Sequence, residues 1–140
     1  MKLDLECVRS VMLCLESNLR IVDSNGTLEK PGMSLEALCE LLPDYRKEDI
    51  FYSLYNLDQA GYIDISVKWL NQAVYYCFIN HITYSGHEFL DHIRDTKRWS
   101  KIKGISASVR DYSLSAISSI AEGVTSAAIS HYFSGDFSPK

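Results

Sequence analysis

From the N-terminus, the apolar residues Leu5, Val8, Met12, Leu15 and Leu19 return every three or four positions, the period of a helix with one buried face. Asp4 and Glu6 at the front of this run suit the positive end of the helix dipole. The pattern then breaks at Asp23-Ser24-Asn25-Gly26, which reads as a turn, and again at Lys30-Pro31-Gly32. Ser34 can cap a short helix over residues 35–42, which Pro43 ends. A third helix is expected over residues 47–60, with Ile50, Leu54 and Leu57 as its buried stripe and Gly61 as a left-handed stop.

The period then changes. Ile63, Ile65 and Val67 alternate with Asp64, Ser66 and Lys68, the two-residue period of a half-buried strand. Residues 73–82 are similarly rich in β-branched and aromatic side chains and predict its partner. Leu70-Asn71-Gln72 lacks glycine, so a longer or irregular connection is expected there rather than a tight turn. Thr83 can cap a long helix that carries Phe89, Leu90, Ile93 and Trp99 and stops near Gly104. A last helix, rich in Ser, Ala and Ile, is expected over residues 108–133. The fold class is α+β, mainly α with a small β-hairpin. Helix, short helix, helix, strand, strand, helix is the order of a winged helix-turn-helix followed by additional C-terminal helices. Three short helices leave one side of a core open, and the apolar face of the hairpin closes it. Residues 1–103 would form the winged-helix domain, including the helix after the wing. Residues 104–140 would form a Ser/Ala-rich helix used for packing or dimerisation.

Composition removes several classes of function. The chain has 140 residues and a net charge of −4, with 23% charged residues, which fits one ordinary globular domain. No stretch is apolar over the length needed to span a bilayer. Met1-Lys2-Leu3-Asp4 brings early charge without the apolar core of a signal peptide, so the expected location is the cytosol. Cys7, Cys14, Cys39 and Cys77 form no C-x-x-C pair and sit in apolar contexts, as reduced packing thiols do.

Catalytic constellations are missing from the sequence. His87-Glu88-Phe89-Leu90-Asp91-His92 has the letters of a zinc-protease motif but a five-residue step between its histidines, which rotates the second by about 140° on a helix. His87 and Asp91 share a helix face, yet two ligands do not make a zinc site. There is no nucleophile elbow and no phosphate-binding P-loop. The expectation is a non-enzymatic protein with no metal and no cofactor. Gly86 instead permits close packing of a helix start against the hairpin.

Two binding chemistries remain. The third helix is the one that would enter a DNA major groove, where Lys47, Asn56 and Gln59 could read base edges and Tyr52 could bond phosphate. Lys68 on the wing would add a phosphate contact. Arg94, Lys97, Arg98, Lys101 and Lys103 against Asp95 give residues 94–103 a net +4, so the rest of the chain sums to −8. Arg94, Arg98 and Lys101, at steps of four and three, would share one helix face as a phosphate-holding stripe, with Lys97 beside them. The bland alternative is a solvated face balanced by Asp91 and Asp95. Residues 46–59, however, net −1, and Phe51, Tyr52 and Tyr55 read equally well as a protein-binding face. On the last helix, Ile117, Ile120 and Val124 form an apolar stripe that must be buried, either in cis or in a homodimer, and a homodimer is favoured.

Residues 1–103 resemble a family of small bacterial and prophage proteins described as domain of unknown function 2513. The resemblance is carried by the opening MKLDLECVR, the L-x-x-A-G-Y-I segment from Leu57 to Ile63, and the block ITYSGHEFLDHIRD with the following Trp99. It implies a winged-helix fold and brings no activity, so no catalytic residue is carried over. Beyond Gly104 the resemblance is loose, a helical Ser- and Ala-rich extension. The expected function is that of a DNA-binding transcriptional regulator; the alternative is a protein-interaction module, such as a phage-encoded inhibitor of a host defence or regulatory protein.

Overall fold

The computed structural model of the chain describes residues 1–137, which form a mixed α+β fold of six helices and two small antiparallel sheets. They divide into two compact units, the first Met1–Leu90 and the second beginning at Asp91. The division falls inside a helix, and the helices of the second unit pack on each other.

In the first unit, Asp4 caps α1 (Leu5–Asn18), its Oδ1 accepting the backbone N–H groups of Glu6 and Cys7 at 3.0 and 3.2 Å. The helix buries Cys7, Val8, Val11, Met12 and Leu15. Next, β1 (Val22–Ser24) and β2 (Thr27–Glu29) pair across Asn25 and Gly26, both at positive φ. Asn-Gly is the residue pair of the tight hairpin turn. The expected turn thus belongs to a small hairpin whose three-residue strands are too short to display a period. β3 (Met33–Ser34) leads directly into α2 (Leu35–Leu41), where the Ser34 Oγ accepts the Ala37 N–H at 3.1 Å. After residues 42–46 comes α3 (Lys47–Gln59), which buries Ile50, Ser53, Leu54 and Leu57.

β4 (Ile63–Leu70) and β5 (Ala73–Ile82) form the long hairpin, and β3 joins the far edge of β5, giving the sheet order β3-β5-β4. The hairpin turn differs from expectation. It has two residues, Asn71 and Gln72, at φ of 51° and 67°. Asn visits the left-handed region readily; Gln does so at a cost that the strand pairing offsets. Ile79 and Ile82 are both buried although three residues apart, which in a regular strand would put them on opposite faces. Asn80 resolves this as the extra residue of a bulge, since Ile79 pairs with Ile65 and His81 with Asp64. α4 (Tyr84–Ile93) then starts against the base of the hairpin. A Cβ on Gly86 would lie 1.8 Å from the Tyr62 carbonyl oxygen, so only glycine allows this approach. The Tyr62 ring stacks on Phe89 with centroids 4.5 Å apart.

The expected long helix is two helices. Residues 94 and 95 interrupt it, and Asp95 caps α5 (Thr96–Val109) by accepting the Arg98 N–H at 2.8 Å. Gly104 does not stop α5. A mid-helix glycine costs about 1 kcal/mol, which packing offsets, and the chain leaves the helix only at Arg110, in the left-handed region. The last helix, α6 (Leu114–Phe137), begins later than expected because Asp111 and Ser113 hold the preceding turn, with the Asp111 Oδ1 accepting the Ser113 N–H at 3.1 Å. α5 and α6 pack together over Trp99, Ile102, Ile117, Ala121 and Val124, all buried.

Candidate interaction surfaces

On β4 the alternation Ile63, Ile65, Val67 continues to Trp69, keeping the indole on the face that buries Ile63. The hairpin tip outruns the core, and there Phe51 and Tyr55 of α3 meet the indole. The Phe51 and Tyr55 rings stand edge-on to Trp69, with centroids 5.8 and 6.5 Å away. These geometries suit the aromatic quadrupole. Trp69 remains 53% exposed, and Leu70 and Val74 beside it are exposed as well. A second bulge lies between Lys68 and Trp69, which pair with Tyr76 and Val74, so Tyr75 drops out of the ladder and is 74% exposed. On the opposite face Tyr76 stacks on Phe78, and the Lys68 Nζ sits 5.9 Å from the Tyr76 ring centroid. Of the expected protein-binding residues, Phe51 and Tyr55 are therefore brought together, while Tyr52 is half-buried. Trp69 and Tyr75 were missed. The signal for them was apolar residues flanking a two-residue turn, where solvent-exposed turns are usually polar.

Two of the expected DNA-reading residues of α3, Lys47 and Asn56, have partners within the unit. Lys47 Nζ lies 3.7 Å from Glu36 Oε1. Arg46 reaches Asp49 at 3.1 Å and Glu48 at 3.6 Å, and the hydrogen bond to Asp49 holds its guanidinium pKa above the ordinary value. Asn56 donates its amide to the Tyr52 carbonyl of its own helix at 2.8 Å. Asp58 ties α3 to β4 by accepting the Ile65 N–H at 3.1 Å. Gln59 is exposed at the end of α3. Over residues 35–59, two basic residues (Arg46, Lys47) stand against six acidic ones, a net of −4.

In the second unit the expected single stripe is divided. Arg94 lies in the interruption before α5 and donates to Asp91 at 2.9 Å, so it does not share the α5 face. Lys97, Arg98 and Lys101 of α5 do gather, lining a pocket of about 420 Å³ with Val124, Ala127, Ala128 and His131 of α6. An adjoining pocket of about 330 Å³ shares Lys101, Val124 and Ala127 and adds Ile105, Ile120 and Gly123. Together they make a groove with an apolar floor and a basic rim. Lys103 is set apart, its Nζ 5.8 Å from the Trp99 ring centroid. Ile117 is 1% exposed, Val124 is buried and Ile120 half-buried, so the expected dimer stripe is mostly occupied within the unit. The exposed large apolar residues of α6 are Ile129, Tyr132 and Phe133.

Burial pushes the thiols of Cys7, Cys14, Cys39 and Cys77 up, Cys77 to about 11, which keeps them protonated and unreactive near neutral pH. Among the described residues, no three His, Cys, Asp or Glu side chains gather as metal ligands would. His92 bonds the Thr125 hydroxyl through Nδ1 at 3.1 Å. No described helix is long and apolar enough to cross a membrane.

A family model described as "Hypothetical protein (DUF2513)" matches residues 2–111, which span α1 to α5. An "Uncharacterized protein" of Haemophilus influenzae is 31% identical over 132 residues, an alignment covering 90% of this chain and 97% of that protein. No solved structure is significantly similar. The chain carries the family's pattern through both the hairpin and α5, and it belongs to the DUF2513 family of hypothetical proteins.

Proposed function

We propose that residues 1–90 form a winged helix whose third helix and wing bind a protein rather than DNA, making the chain a non-enzymatic, cytosolic interaction module. The order α1, β3, α2, α3, β4, β5, with sheet order β3-β5-β4, supports the winged-helix reading, in which β4–β5 is the wing. The observation that carries the function is the Phe51–Tyr55–Trp69 cluster, continued by exposed Leu70 and Tyr75. Exposed Trp and Tyr are the residues that most often anchor protein interfaces. The same surface is poor for DNA, because six carboxylates on and beside α2 and α3 repel phosphate. The favoured partner has an apolar pocket bordered by basic residues. A phage-encoded inhibitor of a host defence or regulatory protein is the role that fits this chemistry. The test is capture from a host lysate: a stoichiometric partner retained by the native chain and lost by the Tyr55→Ala, Trp69→Ala double variant. A partner held equally by that variant overturns the reading.

Duplex DNA remains a second reading because Lys97, Arg98 and Lys101 gather on one side of α5. Absence of duplex binding at low salt would remove it. Homodimerisation through the C-terminal helix would use Ile129, Tyr132 and Phe133, the apolar residues that α6 leaves exposed. An unchanged mass by light scattering after Ile129→Glu with Phe133→Glu would exclude it.

A further inference from the structure

We infer that the first unit holds a binding site for a small organic anion, a carboxylate or phosphate group on a compact apolar body, between the end of α1 and the end of β5. A pocket of about 320 Å³ opens there, at the small end of the range for ligand sites. Its charge is opposite to that of its surroundings. Residues 1–90 carry seven basic and thirteen acidic side chains, yet the pocket gathers Arg20, Lys30 and both histidines of the unit, His81 and His87, against one carboxylate, Glu16. An anion is repelled less at this pocket than by the acidic unit as a whole.

Hydrogen bonds already arrange the donors. The Lys30 ammonium donates to His81 Nδ1 at 3.1 Å, which leaves the neutral imidazole with its proton on Nε2 as a further donor. Arg20 Nη2 donates to the Ser17 carbonyl at 3.0 Å, anchoring the guanidinium at the end of α1 while its remaining N–H groups keep their capacity. Asn80, the bulge residue, lines the pocket together with His81 and Ile82, so polar groups and an apolar wall meet at the end of β5. Bulges are frequent beside functional sites, where they re-aim side chains. Leu19, Ile21 and Ile82 supply the apolar wall. Ile21 is 69% exposed, and a ligand body lying on it would remove that surface from water. An inorganic anion would leave the wall unused.

The test is a titration of the full chain, followed by backbone amide and histidine ring NMR signals, with benzoate, phenyl phosphate, inorganic phosphate and neutral benzamide. Benzoate or phenyl phosphate should shift residues 80–82 and the His81 and His87 rings saturably, at least tenfold more tightly than benzamide or inorganic phosphate. The tighter of the two organic anions assigns the headgroup. Arg20→Ala with Lys30→Ala should weaken binding tenfold or more while keeping a dispersed spectrum, since both side chains are exposed. Three results each overturn the site: no saturable shift with either organic anion, equal binding of benzamide or inorganic phosphate, or unchanged binding in the double variant.

Discussion

Residues 1–90 carry thirteen acidic against seven basic side chains and hold Trp69 and Tyr75 out at the hairpin tip. Residues 91–140 carry five acidic against seven basic, and their small apolar residues line a groove under three cations. The formal charge of −4 is thus the sum of −6 and +2. Charge steers encounter while aromatic area holds a partner, so the two units suit different chemistry. A single number for the chain conceals this, and a single helical stripe of basic residues misplaces it. The proposed protein partner would meet the aromatic tip of the first unit, and the second reading, duplex DNA, would meet the α5 cations of the other.

The strongest way to break this contrast is to remove what shapes the first unit. Leu54→Ala should cost about 2–5 kcal/mol, because its side chain is completely buried beneath the α3 surface. Denaturant melts would check it. Next in size, Tyr55→Ala with Trp69→Ala should weaken partner capture about a hundredfold, or about 2.7 kcal/mol, while Lys97→Glu with Lys101→Glu leaves it unchanged. The reverse outcome would move the partner surface to the second unit. Gly86→Ala should cost about 1–3 kcal/mol, since its Cβ meets the Tyr62 carbonyl and α4 must shift away from the hairpin.

Smaller effects sharpen the second unit. If duplex DNA binds at low salt, Arg98→Glu with Lys101→Glu should flatten the salt dependence by a slope of about 2, and Lys47→Ala should leave it unchanged. Acid should then weaken the caps of this unit. Backbone N–H groups of Arg98 and Ser113 hold the Asp95 and Asp111 carboxyls below their ordinary value of 3.8. A depressed folded-state pKa stabilises fully above 3.8 and is lost as pH falls below it toward the folded value. Helical circular dichroism between pH 6 and pH 2 should therefore decline later in Asp95→Asn, which keeps a capping oxygen and does not titrate.

Local patterns carried most of the elements. The stripe of Ile50, Leu54 and Leu57 marked α3 within a residue, and the alternation from Ile63 to Val67 marked β4. Errors arose where two local preferences competed. Asp95 can sit inside a charged helical face or cap a new helix, and its spacing from Arg98 does not say which. Gly104 can end a helix or be carried through one, and packing of α5 on α6 decided. Asn71-Gln72 has no glycine, yet ten residues of β5 facing eight of β4 supply enough pairing to hold both in the left-handed region.

The candidate sites divide in the same way. Phe51 and Tyr55 were identifiable from α3 alone, because helical period tells which residues lie off the buried stripe. Their union with Trp69 required the hairpin to fold back over α3, a contact between residues 14 to 18 positions apart that no local period encodes. The anion pocket is more distant still, joining Arg20 to His81 and His87. Sequence by itself determined most of the helices, the β4–β5 strands, the acidic and basic segments and the family. Only tertiary structure decided which cations are engaged by carboxylates, which aromatic residues remain in solvent, and where histidines and lysines converge. Periodicity is a property of neighbours along the chain; convergence depends on register, bulges and close approaches such as that of Gly86, which appear only when the elements pack.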